Sequence, residues 1–78
     1  MALHRDLRLV NHVVPEDMDG TTVGDLDLPG GVRVVAQADE DAERFAEADT
    51  ALAKGDHLFF LSETGAIKKL NKLFEQKS

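Results

Sequence analysis

Cysteine, tryptophan and tyrosine are absent from this sequence, proline occurs twice, and the aromatic complement is four phenylalanines. Without cysteine there is no disulfide, no thiolate ligand for zinc and no thiol nucleophile, a composition that agrees with a reducing compartment. No stretch approaches the ~20 apolar residues that a membrane-spanning helix needs, and residues 1–6 lack the apolar core of a signal peptide. Basic residues are also short, 9 Lys and Arg against 15 Asp and Glu, for a formal charge of -6. The acid excess lies in residues 16–56. This argues against a nucleic-acid partner, because phosphate backbones are bound by clustered Lys and Arg.

The 78 residues are expected to form one domain, residues 1–78, with a core of about 6–76. A single core of this size leaves roughly 3–5 kcal/mol of margin unless something adds to it. With disulfides excluded, oligomerisation is the ordinary device that remains.

The chain is organised around the run from Thr50 to Ser62. Gly55 and Asp56 read as a sharp turn, with Asp56 able to hydrogen-bond the chain two residues on. They open into an apolar strand at residues 57–61. Leu58 and Phe60 alternate against His57, Phe59 and Leu61, so both faces call for cover. The chain's own helices can cover one face; a partner is expected on the other, which makes His57, Phe59 and Leu61 the candidate dimer contact.

Upstream, residues 6–14 read as a first strand closed by Pro15, with Leu7, Leu9 and Val13 on one parity and Val10 and Val14 on the other. A polar turn follows, and Thr21 or Thr22 can cap a short helix over residues 23–26 that ends before Pro29. Residues 32–38 form a second strand. Residues 41–52 divide the evidence: helix formers dominate and Phe45, Ala48 and Leu52 share a helical face, yet a turn at 39–41 and a short strand at 43–46 form a competing hairpin. Ser62 or Thr64 caps a last helix. Its stripe of Ala66, Ile67, Leu70, Leu73 and Phe74 covers the sheet, with Lys68, Lys69, Lys72 and Lys77 on its solvated side.

Chemistry-bearing motifs are sparse. The carboxylates of Asp39, Glu40, Asp41 and Glu43 resemble a Ca²⁺ loop, but Arg44 stands where the sharp-turn glycine belongs and Thr50 where the bidentate glutamate belongs. Solvated turn acids are the simpler reading. His4, His12 and His57 have no metal-ligand spacing, Ser62 and Thr50 have no triad context, and Gly30-Gly31 lacks a phosphate-loop context. No metal site, catalytic residue or cofactor is assigned, and the expectation is a protein that is not an enzyme.

Three segments carry a resemblance. Gly20-Thr21-Thr22-Val23-Gly24-Asp25-Leu26-Asp27-Leu28-Pro29, then Gly31-Val32-Arg33-Val34-Val35-Ala36, then Asp49-Thr50-Ala51-Leu52-Ala53-Lys54-Gly55-Asp56-His57-Leu58 resemble, in order and spacing, the TrkA C-terminal (RCK-C) domain family. The resemblance runs over about residues 7–75. It implies an α+β fold in one small domain, β-α-β-β-β-α, a four-stranded mixed sheet with helices packed on it, strands one and two parallel through a crossover, and a strand rather than a helix at 43–46. In that arrangement Phe45 is expected to enter the core.

The same resemblance implies a regulatory module of a potassium or other cation transport system, cytoplasmic and peripheral to a membrane transporter, acting by homodimerisation. Its partners would be a cation transporter or an N-terminal Rossmann-type nucleotide-binding domain, of which this sequence carries no glycine-rich fingerprint. The alternatives are a sensor of cyclic di-AMP or a cation at a dimer interface, or a plain dimerisation module. Cyclic di-AMP-binding relatives use an arginine and an asparagine near the entry to strand two. Here that entry supplies Leu28, Arg33 and Val34 as candidate ligand residues and no asparagine, so only Arg33 can meet a phosphate. Relatives also carry Arg and Gly after strand two and Pro after strand three, where this chain has Ala38-Asp39-Glu40 and Ala46-Glu47.

Overall fold

The computed structural model describes residues 6–75. His4 and Lys77, singled out above, lie outside them. Strand β1 (Leu7–Val13) is followed by two single 3-10 turns, Glu16–Met18 and Val23–Asp25. Then come β2 (Val32–Ala38), β3 (Glu43–Phe45), β4 (His57–Glu63), a 3-10 turn at Thr64–Ala66 and helix α1 (Ile67–Leu73). The fold is α+β, with a four-stranded sheet in the order β1-β4-β2-β3.

Every pairing in this sheet is antiparallel, which corrects the expected mixed sheet. β1 and β2 point the same way, as a crossover would leave them, but β4 lies between them and pairs with both. The connection that was to provide a crossover helix instead hydrogen-bonds to the chain ahead of β4. Gly20 N–H donates to the Leu52 carbonyl at 2.9 Å, Leu52 N–H to that of Thr21 at 2.8 Å, Val23 N–H to that of Thr50 at 2.9 Å and Gly24 N–H to that of Ala48 at 2.8 Å. These bonds supply partners for N–H groups at the start of the expected helix, and the helix ends after one 3-10 turn because the backbone at Leu26 is already extended. Its start is held by Thr22, whose N–H and hydroxyl both donate to the Asp25 carboxylate at 3.0 and 3.1 Å.

Between 41 and 52 the helix favoured by local propensity does not form. β3 pairs Phe45 with Ala36, Arg44 with Gln37 and Glu43 with Ala38, as the family resemblance implied. Phe45, however, is 82% exposed, the reverse of its expected burial. The cause is a bulge in β2 between Val34 and Ala36, which changes the strand's parity. Val32, Val34 and Gln37 face the helix side; Ala36, and with it Phe45 across the ladder, face the other.

One face of the sheet is covered. Val14, Val32, Leu52, Leu58, Phe60, Ala66, Leu70 and Phe74 form the core, with Val10, Met18, Leu28 and Val34 packed at its margin. Ala66, Leu70 and Phe74 are spaced by four, so one stripe of the C-terminal segment meets the sheet. The His12 ring stacks on Phe74 at 4.7 Å, and Phe60 meets Phe74 edge-on at 5.4 Å. Asn71 Oδ1 lies 2.8 Å from His12 Nε2, so His12 is a packing residue of β1. Neither anticipated cap closes α1: the Ser62 hydroxyl, fully buried in β4, donates to the Glu63 carbonyl at 2.9 Å, and the Thr64–Ala66 turn leads into the helix.

Candidate functional site

The other sheet face carries the candidate interaction surface, and the antiparallel registers determine what lies there. Leu9 sits opposite Leu61, Asn11 opposite Phe59 and Val13 opposite His57. On the far side of β4, Arg33 is opposite Leu61 and Ala36 opposite Phe59. Since residues in register share a face, β1, β4, β2 and β3 together present Leu7, Leu9, Val13, Phe59, Leu61 and Phe45 on one side. Leu7 is 57% exposed, Leu9 67%, Val13 50% and Leu61 38%, and Phe59 is half-buried among them. His57 is exposed at one end, where its Nδ1 lies 3.3 Å from Asn11 Oδ1.

The three residues assigned to a dimer contact from sequence, His57, Phe59 and Leu61, therefore do share this open face. The sequence reading left out Leu7, Leu9, Val13 and Phe45. The first three were marked by their common parity in β1; the missing step was the register that joins that parity to Phe59 and Leu61.

The candidate ligand residues are not brought together in the same way. Val34 lies opposite Phe60 on the covered face, and Leu28 packs at the same margin of the core. Arg33 points to the open face. It lines a shallow cleft of about 490 Å³ with Pro29, Gly30, Gly31, Leu61 and Glu63. Gly31 has φ +88°, and a Cβ there would stand 3.1 Å from the Glu63 carboxyl carbon, so glycine is what lets that carboxylate lie over the loop. The cleft thus offers one guanidinium and one carboxylate. A phosphodiester ligand would gain from the first and be repelled by the second.

The acidic turn after β2 is a self-contained structure. Asp39 Oδ1 accepts the N–H groups of Asp41 and Ala42 at 2.8 and 2.9 Å, and its Oδ2 accepts from Arg44 at 3.1 Å. These bonds, the Asp41 N–H first, hold the Asp39 carboxyl below its ordinary range. Arg44 also donates to Gln37 Oε1, and the buried Gln37 Nε2 donates to Asp56 Oδ2 at 2.7 Å. Asp56 Oδ2 also accepts the Ala53 N–H at 3.1 Å, so Asp56 reaches back three residues rather than forward two. The chain of contacts from Asp39 through Arg44 and Gln37 to Asp56 locks β2, β3 and the Gly55 turn together. Sequence reading missed it, because Gln37 carries no motif and its burial follows from the bulge. Among the described residues no group of three or more His, Asp or Glu side chains is arranged to hold a metal ion, and no helix is long and apolar enough to cross a membrane.

The family model of the TrkA-C domain matches residues 9–75. No curated protein matches the chain.

Proposed function

The chain belongs to the TrkA-C domain family, regulatory domains of potassium-transport systems, and from that premise we propose that it is a non-enzymatic regulatory module that works by pairing with a second copy through its open sheet face. The observation that carries this reading is that Leu7, Leu9, Val13, Phe59, Leu61 and Phe45 share one open sheet face, with Asn11, Arg33 and His57 among them. A face of this kind marks an interface, since a monomeric domain would leave it in water at a cost in solubility. Covering it also supplies the added stability that a core of this size lacks. In the transport system the paired domains sit in the cytoplasm beside the membrane transporter, joined to or contacted by a Rossmann-type nucleotide-binding domain. A change in how the two copies sit is then passed to the gate. No cofactor is assigned to the domain itself.

The sensor reading draws on the Arg33 cleft, and a cyclic dinucleotide such as cyclic di-AMP is the ligand it would name. Glu63 in the same cleft weighs against a ligand with two phosphates, and Leu28 and Val34 are spent on the core. Regulation through subunit contact is the better supported of the two. Sedimentation equilibrium of the 78-residue chain tests it. The expected result is self-association through the open face, with Phe59→Glu, a charge at the centre of that face, lowering the average mass. A Phe59→Glu chain that associates as strongly as the wild type would refute the face contact.

A further inference from the structure

The outer edge of the sheet at β1 carries a second feature, independent of the face contact above. The pairing between β1 and β4 fixes which β1 residues turn their backbone inward. Val14 N–H donates to the Asp56 carbonyl at 2.7 Å, and Thr64 N–H donates to that of Asp6 at 3.1 Å. Both are even-numbered β1-side positions, and in an antiparallel ladder the bonded pairs alternate. Arg8, Val10 and His12 therefore point their N–H and C=O groups at β4, while Leu7, Leu9, Asn11 and Val13 point theirs away from it. Among the described residues β1 pairs with no other strand.

Natural sheets blunt such an edge with proline, lysine, a bulge or shortness. The opposite edge does so: β3 is three residues long and carries Glu43 and Arg44. β1 does not. It runs seven residues, Leu-Arg-Leu-Val-Asn-His-Val, in unbroken register with β4, and Arg8 is its only Lys, Arg, Asp or Glu. The acid excess of the chain lies elsewhere, so an approaching second copy meets little like charge along this strand.

Only an extended chain presents donors and acceptors at the spacing this edge requires, and β1 itself has the pattern needed to fill it. We propose that β1 pairs antiparallel with β1 of a second copy, about a two-fold axis through Val10, joining the two sheets into one of eight strands. In this register Leu7 meets Val13 and Leu9 meets Asn11 as bonded pairs, which uses every outward N–H and C=O of the strand. Val10 meets its own counterpart on the covered side, and Arg8 lies opposite His12. The open faces of the two copies then adjoin on one side of the joined sheet, with Leu7 beside Val13 and Leu9 beside Asn11 at the seam. This two-fold stands perpendicular to the sheet and a face-to-face two-fold lies parallel to it, so the two contacts use different surfaces of one copy, and they close into a tetramer where the two axes intersect.

The test separates the two contacts. In a Phe59→Glu chain, with Leu61→Glu as a second form should the first fold poorly, the face contact is removed and β1 is left intact. Amide exchange is then followed from low concentration up to roughly hundreds of micromolar, since a one-strand contact falls at the weak end of interface sizes. The amides of Leu7, Leu9, Asn11 and Val13 are expected to slow by about tenfold or more with concentration, while those of Arg8, Val10 and His12 are slow throughout. Adding Leu9→Pro, which removes an outward N–H and no bond to β4, should abolish the slowing without changing the fold's circular dichroism. If the four outward amides exchange at the same rate at every concentration, the edge pairing is wrong, whether or not the wild-type face contact exists. Slowing that survives Leu9→Pro would also overturn it.

Discussion

Phe45 and Phe60 are both strand phenylalanines in apolar runs, and the structure assigns them opposite energetic roles. Phe60 is fully buried at the centre of the sheet, edge-on to Phe74 and 6.0 Å from the His12 ring. Truncating it to alanine removes the ring's transfer energy and leaves a cavity between β4 and α1, a combined cost of about 3–5 kcal/mol. Phe45 keeps about a fifth of its surface covered, being 82% exposed. Complete burial of a phenylalanine is worth about 1.5–3 kcal/mol, so Phe45→Ala should cost roughly 0.3–0.6 kcal/mol in the isolated domain. At about 0.05–0.15 kcal/mol per residue the whole domain has on the order of 4–12 kcal/mol to lose. Phe60→Ala thus removes from about a quarter of that stability to all of it, whereas Phe45→Ala is barely felt.

Urea unfolding followed by circular dichroism measures both, with a slope of about 1 kcal/mol/M for a chain this small. The midpoint should fall by about 3 M or more for Phe60→Ala and by less than about 1 M for Phe45→Ala, at protein concentrations low enough to keep the chain monomeric. At high concentration Phe45→Ala should lose more, because the open face it belongs to is then covered. Equal and large losses for the two variants in dilute solution would mean that Phe45 is in the core. The bulge in β2 would then have been placed wrongly, and the open face with it.

Asp56→Ala should lower the urea midpoint by the cost of two orphaned donors, the buried Gln37 Nε2 and the Ala53 N–H, each worth about 1–3 kcal/mol; Asp56→Asn, which keeps an acceptor, should lose less. Asp39 makes a pH-dependent contribution. Its folded-state carboxyl is held below the ordinary value by the Asp41 and Ala42 N–H groups and by Arg44, so the stabilisation is complete above the ordinary carboxylate range and is lost as pH falls through the lowered value. Thermal melts of Asp39→Asn and wild type should therefore differ at neutral pH and converge in acid, and a gap that is constant from neutral pH into strong acid would contradict the turn-cap role.

What could be read from the sequence was whatever depends on neighbours within a few residues. The alternation of residues 57–61, the β-branched run at 32–38 and the stripe of Ala66, Leu70 and Phe74 each carry their own period. The elements they imply are the ones that formed, with β2 at the same bounds and β4 two residues longer. Residues 41–52 show the limit of local signals. Their propensity is helical, but Val23, Gly24 and Leu52 spend their backbone groups on bonds across the connection, and the pairing of β3 with β2 outweighs the preference of single residues.

Strand order and facing were not legible for a different reason, and it bears directly on function. Parity within a strand says which residues travel together, never which side of the sheet they take; that is set by the partner strand's register. Leu7, Leu9 and Val13 become part of an exposed surface only because β1 pairs with β4 so that Leu9 meets Leu61. One extra residue in β2 then decides that Gln37 is buried against Asp56 and Phe45 is left in water. Slipping either ladder by one residue would turn the apolar set inward and the core outward, so register is defended strongly on the covered side. The open face inherits its composition from that defence, with Phe60 and Leu58 fixing the register that displays Phe59 and Leu61. A regulatory surface built this way can be altered by substitution on the open face without disturbing the fold, whereas changes to the covered face disturb both.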